Sequence, residues 1–144
     1  MKPSVKLILF ILCLPVVVMA QQNSDVIDLK KHKIVIQFND ADSVSQTRVV
    51  LQVQNVKTSW PNAEVEVVCL AGGLDLLMTA NSKASKGVAE WSAKGVIFAA
   101  CNNTMKVRKV KKEDLLSQAV VVPAAIVELS VKQEEGWSYF RGGK

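Results

Sequence analysis

Five short apolar runs, separated by stretches with helical spacing, constrain this chain more than any other feature. The runs are Ile34 to Phe38, Val65 with Val67 to Leu70, Val96 to Ala100, Ala119 to Val122, and Trp137 to Phe140. Each is too brief for a helix and is rich in β-branched or aromatic residues, so each reads as a strand. Between the first two, Val49, Val53, Val56 and Trp60 fall on one helical stripe, which Pro61 ends. Ser43 with Gln46 predicts a capping box at its start. Ala84, Val88 and Trp91 share helical spacing, in a stretch that reads either as a helix or as a mobile cover. Pro123 and Gly136 bracket a last helix in the proline-first, glycine-last order, with Ile126, Leu129 and Gln133 on one face. Strands alternating with helices imply βαβ units. The predicted architecture is a three-layer α/β fold, a mainly parallel five-stranded sheet with helices on both faces. The first and fourth runs read as buried strands and the fifth as an edge.

Met1 to Ala20 has the anatomy of a secretory signal: Lys2 and Lys6, an apolar core from Leu7 to Val18, and small residues before Gln21. That core is shorter than the ~20 residues of a membrane span. The expected organisation is a signal peptide over 1–20, a polar N-terminal arm over 21–33 and a single domain over 34–144. Export places the product in the periplasm or outside the cell, with no membrane attachment once the leader leaves. Removing 20 of the 144 residues leaves 124, enough for one core. The charge of +5 becomes +3 without Lys2 and Lys6, 16 basic groups against 13 acidic, which singles out no partner. The basic cluster of Lys106, Arg108, Lys109, Lys111 and Lys112 lacks the interleaved aromatics of a nucleic-acid surface. His32 is the one histidine, which excludes histidine-based metal sites of the usual kind, and it reads as exposed.

Chemistry centres on Cys101. The strand ending at Ala100 hands over to Asn102, Asn103 and Thr104, residues with helix-capping side chains. A thiol at such a junction meets first-turn amides and the positive end of a helix dipole, both of which favour the thiolate. A buried cysteine acting as a small hydrophobe is the other reading of the same position. In parallel sheets, sites form beyond the carboxyl ends of strands, where strand order reverses. Asn39, Cys69, Gly72, Gly73 and Cys101 to Thr104 are all expected at that edge. The two glycines suit a tight turn before a short helix at Leu74 to Ala80. Should Cys69 and Cys101 end strands on opposite sides of the first strand, their backbones stand about twice the ~4.8 Å strand spacing apart. That exceeds the ~7 Å reach of a disulfide.

Four motifs in this order resemble the DsrE/DsrF-like (YchN-like) sulfur-relay family. They are Gly-Val-Ile-Phe-Ala-Ala-Cys-Asn-Asn-Thr-Met at 95–105, Glu-Asp-Leu-Leu at 113–116, Val-Val-Pro-Ala at 121–124 and Lys-Gln-Glu-Glu-Gly-Trp-Ser-Tyr at 132–139. The resemblance runs from about Lys33 to Gly142. It implies a parallel five-stranded α/β fold assembled as a dimer, trimer or hexamer. It also implies a cysteine at the position of Cys101 that carries sulfur as a persulfide between a donor and an acceptor protein, with no metal or organic cofactor. Exported relatives often carry a His-Gly-x-Gly-like turn after the second strand. Here the chain reads Cys69-Leu70-Ala71-Gly72-Gly73, with Leu70 in the place of the histidine. Three functions follow: a sulfur carrier acting through Cys101, a binding module that keeps the fold without the chemistry, and a Cys69–Cys101 redox pair.

Overall fold

A computed structural model describes residues 27–144. The leader expected over 1–20, Cys13 within it, and the first part of the arm lie outside the described residues. The elements are β1 (Lys33–Phe38), α1 (Ser43–Ser59), β2 (Glu64–Cys69), α2 (Ser85–Ala93), β3 (Ile97–Cys101), α3 (Asn102–Arg108), β4 (Ala119–Val122), α4 (Ala125–Glu134) and β5 (Ser138–Arg141). Short 3-10 turns at Ala71–Leu77 and Lys112–Asp114 complete them. Strand order is β4-β3-β2-β1-β5, and every adjacent pair is parallel.

Crossover handedness fixes which face of this sheet each helix takes. The chain steps outward from β1 to β4, so right-handed connections put α1, α2 and α3 on one face. It then reverses, and α4 crosses the other face to place β5 beside β1. Side chains divide accordingly. Phe38, Val49, Val53, Cys69, Leu74, Trp91, Phe98 and Met105 share one core. Val35, Val68, Ala99, Cys101, Val122, Ala125, Leu129 and Trp137 share the other. The fold is therefore the expected three-layer α/β sandwich, with a sheet that is wholly parallel.

Local chemistry departs from expectation at several points. Asp42, not Ser43, caps α1, its carboxylate accepting from the Ser45 amide at 2.9 Å. Gln46 is buried instead, donating to the Ala41 carbonyl at 2.8 Å and accepting from the Lys83 amide at 2.8 Å. Within the 81–94 stretch, Ser85–Ala93 form a helix, α2, with Val88 and Trp91 buried. The glycine pair lies inside a 3-10 turn from Ala71 to Leu77, and no helix starts at Leu74. β4 is an exposed edge, with Val120 50% and Val121 36% accessible, because no strand follows it in the sheet. α4 begins at Ala125, two residues beyond Pro123. His32 is half-buried, stacked on Trp60 with ring centroids 4.1 Å apart and within 3.1 Å of the Asp28 carboxylate.

Gly136 ends α4 as expected. Its φ of +84° lets the Trp137 amide donate to the Lys132 carbonyl and its own amide to that of Gln133, closing the helix with a left-handed turn. The glycine pair has a different role from the one the turn suggested, since neither has a positive φ. A Cβ at Gly73 would overlap the Phe38 carbonyl, and one at Gly72 would come within 3.0 Å of the Asn39 carbonyl oxygen. They let the turn after β2 close down on the end of β1.

Candidate functional site

Cys101 is the last residue of β3 and occupies the N-cap position of α3. Register decides where its sulfur points. Ala100 pairs with Cys69 across β2 and β3, and Cys101 pairs with Val122 on β4. Successive strand side chains alternate between faces, so the Cys101 side chain enters the core beneath α4. There the amide of Ala125, the first residue of α4, donates to the sulfur at 3.2 Å.

The thiol is nearly covered, with 5% of the residue accessible. Burial is the largest influence on its ionisation and pushes the pKa up. Hydrogen bonding from the Thr104 amide, the Ala125 amide, the Thr104 side chain and the Asn103 amide pushes the other way. The hydrogen bonds prevail, and the thiol is held below its ordinary value. The Ala125 amide at the start of α4 thus donates to the sulfur directly, and the first turn of α3 adds to the pull on its charge. Such a site stabilises an anionic thiolate.

Thr104 also braces the neighbouring turn. Its hydroxyl accepts from the Ala71 amide at 3.1 Å, while Arg108 donates to the Ala71 carbonyl at 3.0 Å and pairs with Asp75. Ala71 itself is held with a φ of +49°. Two side chains one helical turn apart on α3 therefore fix the strained residue of the turn that follows β2. Leu70 in that turn packs against the cluster that holds Cys101.

The other expected residues fall elsewhere. Cys69 is fully buried on the opposite face, and burial alone pushes its thiol far above the ordinary value. Cys69 and Cys101 are both free, and they end adjacent strands, not strands on opposite sides of β1. What separates the sulfurs is the sheet itself, which removes the redox pair from consideration. Asn39 follows the last residue of β1, beneath Gly72 and Gly73, with its Oδ1 buried and unpartnered. Strand order reverses between β1 and β5, so Asn39 is nearer that point than Cys101, which sits two strands away. Asn103 and Thr104 adjoin the sulfur, and no contact from Asn102 to it is evident. Ala125 was absent from the expected set because it lies 24 residues along the chain and acts through its backbone. Among the described residues, no group of three or more His, Cys, Asp or Glu side chains could hold a metal ion. No helix among them is long and apolar enough to cross a membrane.

A family model described as the DsrE/DsrF-like family matches residues 32–141. The solved structure of a protein of unknown function from Methanobacterium thermoautotrophicum is similar, with a TM-score of 0.71 and 29% sequence identity, over 77% of this chain and 99% of that one. No curated protein matches.

Proposed function

Because the chain belongs to the DsrE/DsrF-like family, we propose that it is a periplasmic sulfur carrier that holds sulfur as a persulfide on Cys101. The observation that carries this reading is the Ala125 amide 3.2 Å from the sulfur, which together with the Asn103 and Thr104 contacts keeps a nearly buried thiol below its ordinary pKa. In the loading step the Cys101 thiolate attacks the sulfane sulfur of a donor persulfide. A new S–S bond forms, the donor's S–S bond breaks, and the donor leaves as a thiolate. In the unloading step an acceptor thiolate attacks the outer sulfur and Cys101 is released as thiolate. No oxidant, metal or organic cofactor enters either step. The secretory pattern of 1–20 supports the periplasmic placement. The uncharged free edge of β4, with Val120 and Val121 exposed, supports assembly into a homo-oligomer, a dimer, trimer or hexamer.

The low exposure of Cys101 favours a second reading, a non-catalytic oligomeric binding module on the same fold. Incubation with a small persulfide donor, followed by intact mass measurement, separates the two. The carrier gains one sulfur, and the gain disappears in Cys101→Ser. A mass unchanged by the donor, under conditions where Cys101 still alkylates, assigns the protein to the module.

A further inference from the structure

We propose that the Glu66–Lys132 pair is the latch that holds α4, and with it the Ala125 amide, over the Cys101 sulfur. This rests on Cys101 being the reacting sulfur and adds the device that positions and covers it. Glu66 lies in the middle of β2 with its side chain on the α4 face, 2% accessible. Lys132 comes down from the last turns of α4. Its Nζ is 2.9 Å from Glu66 Oε2, 3.7 Å from Glu128 Oε1 and 4.4 Å from the centre of the Trp137 ring. The left-handed turn at Gly136 brings Trp137 back beneath Lys132, so backbone and side chain of this lysine are both engaged.

Little else fastens the helix. Its buried residues are Ala125 and Leu129, whereas Ile126, Val127 and Val131 face outward. One leucine and one alanine remove little apolar surface from water for ten residues of helix. The ion pair is therefore the principal polar tie between the side chains of α4 and the sheet. Ala125 and Lys132 stand about two turns, or ~10 Å, apart on one rigid element. Release at Lys132 frees the other end, which carries the amide on the sulfur. Glu66 and Lys132 are in this sense positioning residues, with no contact to the sulfur themselves.

Cys69 provides an internal control, since it is fully buried in the core on the opposite face of the sheet. Alkylation by iodoacetamide is followed against pH in the full chain, with peptide mapping of residues 69 and 101, for the wild type, Lys132→Met and Lys132→Arg. In Lys132→Met the high-pH rate at Cys101 is expected to rise at least about tenfold as the cover loosens. The titration midpoint should move up by about one unit as the Ala125 hydrogen bond is lost. Cys69 stays unreacted, and Lys132→Arg, which keeps the pair, returns both values toward wild type. An unchanged Cys101 profile in folded Lys132→Met overturns the latch. So does simultaneous reaction of Cys69 and Cys101 at one rate, which makes the pair a support of the whole fold. Should Lys132→Met fail to fold, Glu66→Gln takes its place; it keeps an acceptor for Lys132 and is expected to move Cys101 the same way by a smaller factor, and no movement there counts against the latch. A wild-type midpoint at the ordinary thiol value sinks the carrier reading separately, because the variant-to-wild-type rate ratio still tests the latch.

Discussion

Gly73→Ala is expected to lower folding stability by about 3 kcal/mol, read as a shift of the urea midpoint. The added Cβ would overlap the Phe38 carbonyl oxygen and carbon and come within 2.8 Å of Asn39 Cα. These are backbone atoms at the end of a central strand, and Phe38 is fully buried, so neither side can yield without disturbing the β1–β2 pairing. Against a total stability of about 5–15 kcal/mol for a typical domain, such a loss leaves a marginal fold. Gly95→Ala is the matched comparison. That site has open space around it and only an unfavourable φ of +85°, so the expected cost is about 1 kcal/mol. Equal costs at the two positions would mean that close approach is not why Gly73 is a glycine.

Lys132→Met is expected to cost about 3 kcal/mol at neutral pH, because it leaves the Glu66 carboxylate buried without its counter-charge. Adding Glu66→Leu should recover most of that loss, since an apolar pair of similar volume needs no charge compensation. A double variant as unstable as the single one would show that packing of the lysine stem, not its charge, holds α4. The pH dependence has a definite sign. Burial raises the Glu66 pKa, Lys132 opposes this, and the nearby Glu128 adds to it. A carboxyl with a raised folded pKa contributes its full stability below the ordinary glutamate value of ~4.3 and loses it as pH rises through the folded pKa. Removing Lys132 removes the opposing influence, so this fall with pH should be steeper in Lys132→Met than in the wild type. Urea titrations from acid to neutral pH provide the comparison.

The strands and most helices were legible because run length and apolar period are local properties. The five apolar runs fall within a residue or so of the five strands. What was not legible is relational. Ala119 to Val122 reads as buried by composition, yet its exposure depends on which strand ends the sheet. Cys69 and Cys101 look like neighbours at one edge, and a one-residue offset between β2 and β3 sends their side chains to opposite faces. Asp42 outcompetes Ser43 as the α1 cap because a carboxylate reaches the Ser45 amide. Ala125 and Glu66 carry no sequence signal toward Cys101, since one acts through its backbone and the other across the sheet.

The Cys101 sulfur favours its anionic form through the Ala125 amide of α4 and the first turn of α3, and the carrier reading needs it to be reachable from solvent. Both are tested most directly by the pH dependence of Cys101 alkylation in the native, full-length protein. Reaction without denaturant is expected, with a midpoint below the ~8.5 of an unperturbed thiol. A midpoint at or above that value, or reaction only after unfolding, would contradict it.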